Sequence, residues 1–320
     1  MKRRSFLWLL GCGAAAGASS RVRAQQAVPL VGVVVAGTRD TSTFPEPFLS
    51  GMKQLGWDED HNYRVLILGT EGHNDRYQAL IGELVAKRVN VIVVFGNPGI
   101  DAARRATAAI PIVGTTDDLV NSGFAASMTR PGGNITGVSI FGGELNVKRL
   151  ELLHEAVPTA KRIGVLADPN GTVGRIEDAG RALHLELVLV SARNPEQVRQ
   201  ALEILDAARV EAVNVLTSPV FANVRGMIVD WLNRKHVPAI YEWPEIAKEG
   251  GLLGYGASFR HTVWPQVARL VDRILRGARP EDLPIEQPEK VDLVINLKTA
   301  EALGLSFPPA PLARADEVIE

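Results

Sequence analysis

Short apolar runs rich in Val, Ile and Leu recur along the chain, separated by stretches with helical spacing. A first series begins near Leu30 (LVGVVVA), Arg64 (RVLILG), Asn90 (NVIVVFG), Pro111 (PIVGTT) and Ile135 (ITGVS). Between its second and third members, Tyr77, Leu80, Ile81, Leu84 and Val85 repeat at the period of an amphipathic helix. Runs that are continuously apolar, not alternating, belong to strands covered on both faces. They predict a parallel sheet with crossover helices.

A second series repeats that order with different residues, starting at Arg162 (RIGVLAD), Leu185 (LELVLV), Val210 (VEAVNVLT) and Val237 (VPAIY). Helices between its members are marked by Val198, Leu202 and Leu205 and by Val224, Ile228, Trp231 and Leu232. After Leu252–Gly256 (LLGYG) come a long helix using Val263, Val267, Leu270, Val271, Ile274 and Leu275, a Pro-rich stretch, an apolar strand at 291–296 and a short helix at 298–303. The reading is an α/β protein of two doubly wound, Rossmann-like parallel-sheet lobes. A strand and a helix left over after two equal series mean that the chain crosses between lobes more than twice. Crossings are expected near 141–144, near 250–252 and between 277 and 288. That assigns 29–142 with 252–279 to the N-terminal lobe and 143–251 with 280–320 to the C-terminal lobe. Several strands joining two lobes make a hinge and a cleft.

The N-terminus changes the picture from fold to compartment. Lys2, Arg3 and Arg4 precede Phe6-Leu7-Trp8-Leu9-Leu10, small residues follow, and Val22-Arg23-Ala24 forms an A-x-A-like cleavage site. This is the pattern of an export signal, residues 1–24, cleaved after Ala24; the adjacent arginines also fit the twin-arginine address. A rival is lipoprotein anchoring through Cys12, at the cost of an unusually short apolar region. Cys12 is the only cysteine, so a chain cleaved after Ala24 has no disulfide, thiolate nucleophile or Cys-based zinc site. Export to the periplasm also removes ATP and NAD(P)H as partners.

Charge adds little: 35 basic against 36 acidic side chains give a net charge of -1 with no cluster of one sign, which points away from nucleic acid. Catalytic signatures are absent. The six histidines lack metal-ligand spacing, position 141 is Phe where a nucleophile elbow needs Gly, and no phosphate-binding Gly-rich loop occurs. Asp117-Asp118 is a carboxylate pair, yet neighbouring acids in a loop serve more often as caps. No cofactor and no metal is expected.

Polar residues do gather where strands end, the wall at which doubly wound sheets bind ligands. The first lobe offers Thr38, Asn97, Thr115, Thr116, Asp117 and Asp118; the second offers Asp168, Asn170, Thr217, Ser218, Tyr241 and Glu242. Hydroxyls and helix N-terminal amides suit a carboxylate, acids suit an ammonium, and Tyr241, Trp243 and Tyr255 supply an aromatic wall.

Four runs in a fixed order then carry a resemblance: Pro131-Gly132-Gly133-Asn134-Ile135-Thr136-Gly137, Lys148-Arg149-Leu150-Glu151-Leu152-Leu153, Gly250-Gly251-Leu252-Leu253-Gly254-Tyr255-Gly256 and Leu293-Val294-Ile295-Asn296-Leu297-Lys298-Thr299-Ala300. Together they resemble substrate-binding proteins of ABC transporters of the tryptophan/tyrosine uptake type, over essentially the whole chain after the signal. The resemblance implies a type I periplasmic-binding-protein fold and delivery of a small solute to a membrane permease.

The expected function is therefore non-enzymatic capture of a small solute, an amino acid or related carboxylate, by hinge closure. Thr38, Asn97, Thr116 and Asp118 would bind from one lobe, Asn170, Ser218, Tyr241 and Glu242 from the other, with Tyr255 near the hinge. A monomer suits such a clamp. The alternatives are a ligand-sensing module that docks a membrane receptor and an exported hydrolase using Asp117 or Asp118.

Overall fold

Strand β1 (Leu30–Val35) is LVGVVV and all but its first residue is buried, as a strand between two helix layers requires. The computed structural model describes residues 28–37, 45–169, 173 and 175–320. The export segment with Cys12 lies outside the described residues, as do Thr38 and Asn170.

The first lobe continues through α1 (Pro45–Gln54), β2 (Arg64–Gly69), α2 (Tyr77–Ala86), β3 (Val91–Phe95), α3 (Gly96–Ala106), β4 (Ile112–Thr116) and β5 (Ile135–Ser139). Its sheet is parallel throughout, in the order β2-β1-β3-β4-β5. The order reverses between β1 and β3, leaving a crevice at their carboxyl ends. Tyr77, Ile81 and Leu84 of α2 are buried against this sheet.

The second lobe comprises α4 (Gly142–Ala156), β6 (Arg162–Ala167), α5 (Ile176–Ala182), β7 (Glu186–Ser191), α6 (Pro195–Ala207), β8 (Ala212–Val215), α7 (Pro219–Asn223), α8 (Arg225–Arg234), β9 (Ala239–Tyr241), α9 (Pro244–Lys248) and β10 (Leu253–Gly256). Helix α10 (Trp264–Leu275) follows, then β11 (Asp292–Asn296), α11 (Leu297–Ala302), α12 (Pro309–Leu312) and β12 (Glu317–Ile319). The second sheet has seven strands in the order β12-β11-β10-β9-β8-β6-β7. Only the β10–β11 pair is antiparallel. Its reversal between β6 and β8 makes a second crevice. Local chemistry sets the helix starts: Asn194 accepts the N–H of Gln197 at 2.9 Å before Pro195, and Ser218 accepts that of Val220 at 3.1 Å before Pro219.

The crossings differ in part from the sequence expectation. The first falls at Phe141, whose φ of 55° turns the chain left-handed into α4. The second comes later than 250–252, because β10 pairs with β9 and β11 in the second sheet, so only after Gly256 does the chain return to pack α10 against α1. The third comes after Glu286, whose N–H still donates to Gly137 O at 2.9 Å in the first lobe. An apolar run announces a strand but not its neighbour, and β10 was assigned to the wrong side for that reason. Strand β12 carries too few apolar residues to stand out in the sequence.

Candidate functional site

Both sheet reversals open onto one cleft. The ends of β1 and β3 contribute Val35, Ala36, Phe95 and Asn97, and the turns after β6 and β8 contribute Asp168, Thr217 and Ser218. The cleft holds ≈ 690 Å³ of empty space, its mouth included, within the range of about 300–1,000 Å³ usual for small-molecule sites.

Four rings build one wall. Phe95 and Trp264 lie 4.6 Å apart between centroids at 58°, and Trp243 and Phe259 lie 4.5 Å apart at 44°. Phe95 joins the pairs through Phe259 at 6.3 Å. Trp243 comes from the second lobe, and Phe259 and Trp264 from the segment that returns to the first, so the wall spans the hinge.

The polar side is divided between lobes. Thr116 Oγ1 donates to Asn97 Oδ1 at 2.5 Å. The hydroxyl of Thr115 is buried and has no hydrogen-bond partner among the described residues, which leaves it for a bound group. Gly96, Asn97 and Pro98 at the start of α3 line the same side, and Phe95 provides no side-chain cap. Opposite them, Ser218 Oγ donates to Asp168 Oδ2 at 2.7 Å. Asp117 also lines the cleft. No Lys, Arg or His lines it among the described residues. Burial, with the Asp168 carboxylate as a smaller cause, pushes the Tyr77 phenol up from its usual range.

Behind the wall sits a buried charge network. Arg149 of α4 is 2% exposed. Its Nε donates to Tyr255 O at 2.7 Å, its Nη1 to Asn146 Oδ1 at 2.6 Å and its Nη2 to Glu242 O at 3.3 Å. Burial lowers its pKa to about 10 against the upward pull of Glu242 and Asp117. Glu242 is equally buried, and desolvation holds its carboxyl well above the usual range despite Arg149.

Of the residues expected to bind, Asn97, Thr116 and Ser218 are brought together in the cleft. Asp118 is not: its Oδ1 accepts the N–H groups of Val120 at 2.9 Å and Asn121 at 3.0 Å, so it ties a turn. Its neighbour Asp117 faces the cleft instead. Tyr241 is 1% exposed and packs in the core, with Ile246 and Trp243. Glu242 acts from behind, its Oε2 accepting the Ser218 N–H at 3.1 Å. Tyr255 offers its carbonyl to Arg149 and its side chain to the second core. Sequence reading missed Phe95, Phe259, Trp264 and Arg149. The first three sit in strand-end or helix-start positions like those it searched, but as apolar residues they carry no polar signal. Among the described residues no group of three His, Cys, Asp or Glu could hold a metal, and no helix is long and apolar enough to cross a membrane.

Residues 40–319 match the family described as ABC transporter substrate binding protein. The chain belongs to that family. As a substrate-binding protein it resembles the tyrosine-binding protein of Clostridioides difficile strain R20291, at 23% identity over 265 residues, 81% of this chain and 75% of the relative. Among solved structures it is similar to a conserved domain protein from Vibrio cholerae, with a TM-score of 0.82 at 24% identity, covering 91% of this chain and 99% of the other. A Streptococcus pneumonia ABC domain in complex with L-Trp gives 0.80 at 20% identity with the same coverages. The ligand-free, open structure of a Clostridium difficile substrate binding protein gives 0.59. The likeness to solved structures establishes the type I periplasmic-binding-protein fold, and membership of the family a role in solute capture. The family's role is binding, not catalysis, and substrate-binding proteins of ABC transporters typically work outside the cytoplasm.

Proposed function

We propose that the protein captures an α-amino acid with an aromatic or large apolar side chain and delivers it to an ABC permease. The observation that carries this reading is the division of chemistry across the cleft. The uncapped start of α3 and the unpartnered Thr115 hydroxyl suit a carboxylate. Asp168 and Asp117 suit an ammonium, and the wall of Phe95, Trp243, Phe259 and Trp264 suits the side chain. The relatives named for tyrosine and crystallised with L-Trp agree with that chemistry.

The charged and apolar N-terminal segment supports export, with removal of residues 1–24 and action in the periplasm. Hinge closure around the ligand, for which periplasmic binding proteins are a standing example, then gives the permease a form to recognise.

Isothermal titration of the mature protein against the twenty L-amino acids, with matched amines lacking the carboxylate and acids lacking the amine, tests the reading. Binding is expected for aromatic amino acids and is weakened when either charged group is removed. Absence of heat and of any thermal shift across the panel overturns it.

A further inference from the structure

A second cavity lies on the far side of the aromatic wall, with Trp243, Phe259 and Trp264 lining both it and the main cleft. It holds ≈ 450 Å³ of empty space, mouth included, and none of the cleft's polar residues reaches it. Its two cations are already engaged. Arg225 grips both oxygens of Glu249, at 2.6 and 3.2 Å, and Arg260 meets Glu46 at 2.8 Å.

The remaining charged side chain that lines the cavity is Glu245, at the start of α9. Its Oε1 accepts the Ser258 hydroxyl at 2.5 Å and the Arg260 backbone N–H at 3.2 Å. Its Oε2 is buried and has no hydrogen-bond partner among the described residues. A buried carboxylate oxygen left without a donor is costly. With Glu46 and Glu249 each matched to an arginine, the Glu245 charge is the one left uncompensated around the cavity.

The chemistry of the missing group follows from these walls. A hydroxyl would satisfy the oxygen and leave the charge; a quaternary ammonium would meet the charge and offer no N–H. A hard metal ion needs several oxygen ligands, where this cavity offers three aromatic rings. A protonated amine supplies both donor and charge, and aromatic faces accept an ammonium and its alkyl chain alike. We infer that the cavity is a second ligand site, separate from the cleft, that takes a protonated primary alkylamine: the ammonium donates to Glu245 Oε2 and the chain lies against Trp243, Phe259 and Trp264.

Isothermal titration with n-butylammonium, 1-butanol and tetramethylammonium at matched ionic strength tests it, in wild type, Glu245→Gln and Asp168→Asn. Wild type is expected to bind butylammonium at least about tenfold tighter than either control, because hydrogen bonds to charged groups are the strong ones. Glu245→Gln keeps an oxygen for Ser258 and Arg260 but loses the charge, and is expected to lose the preference. Asp168→Asn, altered in the cleft, is expected to retain it. Absence of the preference in wild type, or its survival in Glu245→Gln, overturns the site. Its loss in Asp168→Asn places the amine in the main cleft and overturns it equally. Should Glu245→Gln not fold, the position of butylammonium in a soaked wild-type crystal decides: a nitrogen within hydrogen-bond distance of Glu245 supports the site, and one anywhere else refutes it.

Discussion

Gly96, at the end of β3 in one lobe, lies against Pro219, at the start of α7 in the other: a Cβ at position 96 would stand 2.7 Å from Pro219 Cγ. A second such contact brings Gly72 within the same distance range of Pro195. The lobes therefore meet through positions where no side chain fits, and closure depends on them. Both glycines also adopt positive φ, +74° and +80°, which other residues enter at a cost of roughly 1–2 kcal/mol. Gly96→Ala should hold the cleft ajar. The expected result is a Kd at least about tenfold higher, because only the closed fraction binds, with a ligand-bound radius of gyration larger than wild type by small-angle scattering. A variant that binds normally and compacts normally would show that closure tolerates a methyl there.

Asp168 is tied to Ser218 Oγ at 2.7 Å on the side of the cleft opposite Thr115. Asp168→Asn keeps the shape and removes the charge an ammonium needs. Hydrogen bonds to charged groups contribute about 1.5–3 kcal/mol, so affinity for an amino acid should fall by about one to two orders of magnitude. The corresponding carboxylic acid without an amine should not bind more weakly than before. Paired titrations of the two compounds distinguish loss of an ammonium partner from a general loss of fold.

Asp118 gives the opposite expectation. Its carboxylate serves the backbone N–H groups of Val120 and Asn121 and the side chain of Asn121. Asp118→Ala should cost about 0.5–2 kcal/mol of stability, as loss of a cap does, and leave Kd unchanged. Urea unfolding with ligand titration checks both halves.

The Asp117-Asp118 pair also illustrates what the sequence revealed and what it did not. Two series of continuous apolar runs were enough to identify two parallel sheets, since doubly covered strands have no polar face to hide. Strand ends were likewise legible, and Asn97, Thr116 and Ser218 were found there. Which of two adjacent acids faces the cleft was not legible, because that depends on the turn after β4, where the Asp118 carboxylate accepts the N–H groups of Val120 and Asn121 while Asp117 lines the cleft. The aromatic wall was hidden for a different reason. Phe95, Phe259 and Trp264 have the composition of core residues, and only the crossing after Gly256, set by antiparallel pairing of β10 with β11, carries the last two to the cleft.

Arg149 ties together two carbonyls of the second lobe, Glu242 O after β9 and Tyr255 O in β10. Arg149→Met fills similar volume but strands those acceptors and leaves buried Glu242 and nearby Asp117 without their cation. Each buried carbonyl left without its donor costs about 1–3 kcal/mol. The variant should unfold at markedly lower denaturant, and Glu242→Gln added to it should restore part of the loss at a pH where the Glu242 carboxyl is ionised. Strict additivity in this double-mutant cycle would mean that the two groups do not interact.

Glu242 itself sets a pH dependence whose sign follows from its burial. Desolvation raises its carboxyl well above the usual value of 4.5, and the nearby Asp117 carboxylate pushes the same way, while Arg149 opposes both. The folded protein thus keeps a proton on Glu242 that the unfolded chain releases once the pH passes about 4.5. Stability from this group is complete below that pH and is lost as pH rises toward the folded pKa, at up to ~1.4 kcal/mol per pH unit. Glutamine mimics the neutral carboxyl, still offering an oxygen to the Ser218 N–H, and cannot titrate. Urea midpoints of wild type and Glu242→Gln should therefore nearly coincide near pH 4.5 and separate as the pH is raised, the variant becoming the more stable of the two. Parallel curves would mean that Arg149 keeps the carboxylate ionised in the fold, and separation in the opposite sense would mean that the ion pair, not desolvation, dominates the site.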